Sequence, residues 1–418
     1  MLEERNGLLE QVRARFAHVE SCPFTGPRIF FENAGGALTL KSVVECSAEF
    51  SAIPDNQGRD NPASQALVDI IKKSKTDTMR FLNATSGQVF VGESGTELIF
   101  RLISTAILGT DDGGSVIGTT LEHPATRSAA RRWAEVAQKE YIPVEHDKET
   151  GSVEADAYAA VVRPDTRVAT VVHTSPVSGM GVDVAAVVRA IRAVSPNCMI
   201  VVDGIQHAAH GGANIDAYDI DGYVISPYKV FSRHGYGMAW VSERLGNLPH
   251  DNLIGGPTEN WELGTRDTGS YATFSKVVDY FEWLGSHFTQ SDDGRAKIEA
   301  AGDAIHAQEK LLTDTMLNGA GNVKGLAAMP GVKIVGGVEN PRREGLVSFA
   351  VDSIPSADIV AKLNEEGIRV HIRKADHYSG NILDPLGLDS CIRVSMCHYN
   401  SVDEVKQFLG VMEEFLGA

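Results

Sequence analysis

Short apolar runs at 115–117, 167–172, 199–202 and 223–225 each break off at Gly, Ser, Thr, His or Asp, and helix-like stretches lie between them at 124–138, 154–162, 183–194 and 205–212. Buried strands alternating with helices specify an α/β chain, a mostly parallel sheet with helices on both faces. In such a sheet the polar residues at the carboxyl ends of the strands mark the ligand edge. An earlier helical pattern, 95–108, opens on Ser-Gly-Thr. From about residue 270 the character changes. Long helical patterns cover 270–288 and 294–318, strands are predicted at 332–336, 345–351 and 368–373, and helices at 356–366 and 401–416. This predicts a smaller α+β C-terminal domain. The expected division is an N-terminal segment at 1–25 packing with the small domain, a large domain at 26–268 and a small domain at 269–418.

A length of 418 residues suits two or three cores rather than one. The formal net charge of −17 argues against a nucleic-acid partner, which needs clustered Lys and Arg. No run of eighteen apolar residues is present to span a bilayer, so no membrane partner is expected. The opening MLEERNGLLEQVRARF lacks a signal core, so a cytoplasmic location is expected. Five scattered cysteines without a CxxC pair argue against a disulfide framework, and no metal site is expected.

Four segments carry chemistry together. Gly92-Glu93-Ser94-Gly95-Thr96-Glu97 opens a helix, where glycines let the backbone approach an anion and free N–H groups favour it; the same residues also read as an ordinary helix cap. Leu121-Glu122-His123-Pro124-Ala125 offers an imidazole that lies flat on an aromatic ring or merely satisfies a loop. Asp203 ends the run Val201-Val202-Asp203-Gly204, where its carboxylate pairs with a protonated ring nitrogen or caps a turn. Lys229, in Ser226-Pro227-Tyr228-Lys229-Val230-Phe231-Ser232, follows a buried strand and precedes a Gly-rich turn. A lysine kept from water has a lowered pKa and attacks carbonyls.

This order, with the lysine 26 residues beyond the Asp, resembles the class V aminotransferase group of fold-type I pyridoxal 5′-phosphate (PLP) enzymes, which includes cysteine desulfurases, selenocysteine lyases, kynureninases and isopenicillin N epimerases. The resemblance runs from Phe31-Glu32-Asn33-Ala34-Gly35-Gly36 to Arg393-Val394-Ser395. It implies a seven-stranded, mostly parallel sheet in the large domain and PLP as cofactor. It implies Lys229 as the Schiff-base lysine, Asp203 as partner of the pyridine nitrogen, His123 as the stacked ring and Gln206 as neighbour of the cofactor O3′. Gly95, Thr96 and Ser226 match phosphate contacts, and Tyr228 stands where desulfurases usually carry His. Gly264-Thr265 resembles a pair reaching the phosphate of a neighbouring subunit, which implies a homodimer with shared active sites. Arg393 matches the clamp on a substrate α-carboxylate, with Asn33, His377 and Tyr378 as further substrate contacts.

Two departures qualify the resemblance. The stretch matching the persulfide loop of desulfurases, Arg373-Lys374-Ala375-Asp376-His377-Tyr378-Ser379-Gly380-Asn381, contains no Cys. In the loop after His173, Pro176 stands where the family often has Asn, so an O3′ contact falls to Ser175, Ser178 or Gln206 or is absent. His371 and Arg373 suit a second acidic group on the substrate or, equally, an exposed strand face. The expected activity is a carbon–sulfur (β-elimination) lyase on a small amino acid that works without a persulfide cysteine. Transamination and epimerisation are the alternatives, and a non-catalytic PLP-binding protein is a third. A Rossmann dehydrogenase is disfavoured because no GxGxxG opens a first βαβ unit.

Overall fold

The computed structural model describes residues 2–352 and 354–417. Its large sheet has seven strands: β1 (Gln88–Gly92), β2 (Ser115–Thr119), β3 (Glu140–Val144), β4 (Thr166–Val172), β5 (Met199–Asp203), β6 (Gly222–Ile225) and β7 (Gly237–Val241). Their spatial order is β1-β7-β6-β5-β4-β2-β3. Only β7 runs against its neighbours; the other pairings are parallel. The central strands β5 and β6 are buried along their whole length, as expected when helices cover both faces.

Helix α1 (Gly95–Leu108) follows β1, and α2 (Pro124–Val136) follows β2. Further on, α3 (Thr268–Gly285) and α4 (Gly294–Asn318) precede a four-stranded antiparallel sheet. Its strands are β8 (Val332–Ile334), β9 (Leu346–Val351), β10 (His371–Lys374) and β11 (Ser390–Ser395), in the order β8-β9-β11-β10. Helix α5 (Val402–Leu416) completes this layer, its start fixed by a reciprocal Ser401–Glu404 capping box.

Beside a cluster on the large sheet that includes Phe90, Leu98, Ile99 and Trp261, two further cores divide the chain. Tyr271, Phe274 and Phe281 of α3 and Ile298 and Ile305 of α4 belong to the larger core. Leu312 and Met316, later on α4, join Phe349, Ile392 and Phe408 in the smaller one. The expected division at 268/269 therefore falls at the start of α3, whereas the change of core falls within α4. Near the N-terminus, Phe16 packs edge-on against Phe231 and Tyr280, and Arg13 donates to the Tyr399 carbonyl at 2.8 Å.

Two expected elements differ. The helix expected at 205–212 is a single 3-10 turn, His207–Ala209. The Gly211-Gly212 pair that follows is a poor helix continuation. The strand expected at 368–373 is two strands. Ile368–Arg369 pairs in parallel with Ile29–Phe30, while His371–Lys374 pairs with β11, so the chain changes sheets at Val370.

Candidate functional site

The carboxyl ends of β4, β5 and β6 meet the start of α1 around one cavity, lined by Thr96, His123, Thr174, Pro176, Asp203, Gln206, Ser226, Tyr228 and Lys229 among others. This is the ligand edge that strand order predicts for an open α/β sheet.

Asp203 is the last residue of β5 and is buried. One carboxylate oxygen accepts from the Ile205 N–H at 3.1 Å and the other from the Thr126 hydroxyl at 2.9 Å. Burial raises its pKa above the usual carboxylate value, and these two bonds and the Lys229 charge offset part of that rise. Both readings of Asp203 hold at once, since it pins the turn after β5 and still lines the cavity.

Lys229 ends the short turn Pro227–Lys229 beyond β6. Its amine donates to Gln206 Oε1 at 3.3 Å. Burial, and then the charge of Arg393, brings its pKa down to about 8. About half of this amine is thus unprotonated, and nucleophilic, near pH 8, against almost none for an ordinary lysine. Gln206 Nε2 lies 3.1 Å from His210 Nε2, and the other His210 nitrogen lies 2.8 Å from Glu309. Against the pull of burial, the Glu309 carboxylate raises the His210 pKa to about 9, so this ring carries charge at neutral pH.

His123 is the N-cap of α2, its Nδ1 accepting from the Ala125 N–H at 3.2 Å. Burial and the nearby Lys229 pull its pKa down to about 4, so the ring is neutral and its proton sits on Nε2. At the opposite wall, Ser94 caps α1 by accepting from the Glu97 N–H at 3.1 Å. A Cβ on Gly95 would stand 2.3 Å from the Ser226 hydroxyl oxygen, and one on Gly237 would stand 2.4 Å from the Ser94 carbonyl carbon. Both positions admit only glycine without rearrangement, so bare backbone N–H groups and the Ser226 hydroxyl share one corner. Tyr228 stacks on His234, with centroids 4.3 Å apart, and closes another wall.

The small sheet brings up Arg393. It is 3 % exposed, its Nη1 donates to the Pro176 carbonyl at 3.0 Å, and its Nε has no hydrogen-bond partner. Burial and the adjacent Arg373 lower its pKa to about 9.

The remaining expected residues are arranged differently. Asn33 is buried, and its amide is engaged internally, donating to the Ser395 carbonyl at 2.8 Å and accepting from the Tyr399 hydroxyl. Thr265 is exposed and lines a separate surface cavity with Phe50 and Asn56. His377 is exposed, while the Tyr378 ring comes within 6.1 Å of the His123 ring centroid. Of the three residues considered for the loop contact, Ser175 and Ser178 bond within their own turn and to Gly151, and only Gln206 lines the cavity. Thr126 escaped the sequence reading, although it stands one helical turn beyond His123 and so shares its face. Glu122, buried with its pKa pushed to about 8 by burial, was equally silent.

Known proteins match this chain along nearly its whole length. The model of the Aminotransferase class-V family matches residues 29–408. The "Cysteine desulfurase-like protein ustD" of Aspergillus flavus is 24% identical over 431 residues, covering 98% of this chain and 90% of that protein. A "Probable cysteine desulfurase" of Pseudomonas putida is 24% identical, covering 82% of each. Among solved structures, the apo cysteine desulfurase of Thermococcus onnurineus superposes with a TM-score of 0.81 at 23% identity, covering 98% of both chains. Cysteine desulfurase CsdA of Escherichia coli gives 0.77 at 20% identity with the same coverage.

Proposed function

The chain belongs to the class-V aminotransferase family, whose members are PLP-dependent enzymes, and on that premise we propose that it is a PLP-dependent carbon–sulfur or carbon–heteroatom lyase acting on a small α-amino acid by β-elimination. One observation carries the reading. A lysine amine with a pKa near 8 and a buried carboxylate held by Thr126 line the same cavity, beside a helix N-terminus that glycine keeps bare.

These residues fit the cofactor. Gly95, Thr96 and Ser226 would receive the phosphate, Asp203 the ring nitrogen, and His123 the ring face. When bound, PLP supplies an aldehyde for amines and a ring that takes up electron density from the substrate carbon. The chain's own part is to hold and to move protons. Arg393 meets the α-carboxylate with a planar, two-pronged guanidinium. The Lys229 amine takes the proton from the substrate Cα. The β-substituent then leaves with its bonding electrons, and water releases a keto acid and ammonia. At the opposite end of the site Asp203 would meet the protonated ring nitrogen, whose positive charge would favour the ionised carboxylate.

A persulfide route has little support in this chain. The loop at 375–381 has no cysteine, and Cys391 and Cys397 beside Arg393 are buried with their thiols pushed up by burial. A shared, dimeric site is part of the proposal, because Thr265 is exposed and lies outside the Lys229 cavity of its own chain, free to meet a second subunit.

Adding PLP to the protein should develop a visible absorbance band that Lys229→Ala abolishes together with turnover. Products then identify the reaction. A keto acid with ammonia supports the lyase. Consumption of a keto acid acceptor replaces it with a transaminase, and the opposite enantiomer with an epimerase. A protein that stays colourless with PLP refutes the reading.

A further inference from the structure

The small sheet sets two arginines, Arg373 and Arg393, close enough to the cavity for their charges to act on Lys229, and among the described residues only the Glu32 carboxylate acts against the charge of Arg393. β10 and β11 are antiparallel, with His371 opposite Arg393 and Arg373 opposite Cys391. Side chains alternate along a strand, so His371, Arg373 and Arg393 share one face of the small sheet. Ser348, opposite Arg393 on β9, also lies on that face and donates to the Val177 carbonyl at 2.6 Å. The face therefore abuts the loop whose Thr174 and Pro176 edge the Lys229 cavity.

The partners on this face are unequal. His371 lies 3.3 Å from the Glu32 carboxylate. Among the described residues neither arginine has an acidic side chain in ion-pair range. Arg373 Nε donates to the Ser379 hydroxyl at 2.8 Å and Nη2 to the Tyr378 carbonyl at 3.4 Å. Arg393 has the Pro176 carbonyl and a buried, unpartnered Nε. A guanidinium withdrawn from water without a counter-ion is costly, and two of them on one face add mutual repulsion. Arg373 is a diagonal neighbour of Arg393 across the two strands, a spacing of roughly 7–8 Å between backbones that long side chains can close.

We propose that this face recognises an α-amino acid carrying a second acidic group on a short side chain, a carboxylate, sulfinate or sulfonate, with Arg393 meeting one anion and Arg373 the other. The inference rests on the enzyme reading above for the amino group, and on the arginine pair alone for the two anions.

The test uses PLP-loaded protein and follows the change in its visible absorbance with L-aspartate, L-cysteine sulfinate, L-alanine and L-2-aminobutyrate. The two dianionic amino acids should bind at least about tenfold more tightly than the other two, the scale of one added charged hydrogen-bonded contact. Arg373→Gln should bring that ratio towards one, and Arg373→Lys should restore part of it. Succinate, titrated calorimetrically, reads the arginines without any amine chemistry, and its affinity should fall about tenfold in Arg373→Gln. Equal binding of all four amino acids by the wild type, or a preference that survives Arg373→Gln, overturns the inference and leaves the enzyme reading intact. A protein that stays colourless yet binds succinate through Arg373 does the reverse.

Discussion

The two halves of the site are finished to different degrees. On the large-sheet side each working group already has a protein partner. Asp203 is held by Thr126 and Ile205, His123 by Ala125, and Gln206 stands between Lys229 and His210. On the small-sheet side Arg393 and Arg373 have only neutral partners. The first half is preorganised, so a ligand there finds donors and acceptors already aimed. The second half is electrostatically incomplete, so an anionic ligand is what completes it. A cofactor that stays suits the first arrangement, and a substrate that comes and goes suits the second.

Changes in the finished half should act on chemistry. Asp203→Asn keeps the shape and removes the negative charge, so turnover should fall by about 10²-fold or more while the protein still folds. Steady-state kinetics and circular dichroism check both parts. A variant with near-normal turnover would break the contrast between the halves.

Lys229 lies where the halves meet, and its pKa carries the repulsion from the arginines. Its folded value, about 8, is below the ordinary 10.5. Between those values the unfolded chain holds more protons, so stability rises with pH there. The penalty is fully present below pH 8 and gone above 10.5. Cofactor-free Lys229→Met should therefore be more stable than cofactor-free wild type at pH 7, by up to roughly 3 kcal/mol, with the gap closing as pH passes from 8 to 10.5. Denaturant melts at several pH values decide this. A gap that does not depend on pH would mean that the amine is not destabilised by its setting.

The smallest effect is expected at Thr126→Val, which deletes one hydrogen bond to a buried carboxylate. A cost of about 1–3 kcal/mol in stability, with a several-fold loss of turnover, is expected. Equilibrium unfolding and kinetics measure it, and a variant as stable as the wild type would show that Asp203 does not depend on this bond.

The sequence made the large-sheet half legible because its residues sit at strand ends and helix starts, where local pattern and chemistry coincide. The 95–108 helix is read from Gly95 to Leu108 without error because a capping Ser precedes it and apolar spacing fills it. Thr126 and His210 act through bonds to residues distant in sequence, Asp203 and Glu309, and for Thr126 the only local sign is its place one turn beyond His123. The stretch at 205–212 reads as helical because Ala208 and Ala209 are helix formers, and the Gly211-Gly212 pair stops it after one turn. The strand break at Val370 was invisible for a different reason. Both pieces are extended and only Val370 separates them, so only their partners, one near the N-terminus and one near the C-terminus, tell them apart.

The close approach of Gly237 to Ser94 and Gly95 has a bearing on how this pocket can be redesigned. Two main chains touching without side chains between them form a joint with no adjustable part. The proposed grip on a phosphate would be retuned through the hydroxyls of Thr96 and Ser226, because a methyl group at Gly237 would pry strand and helix apart before it altered affinity.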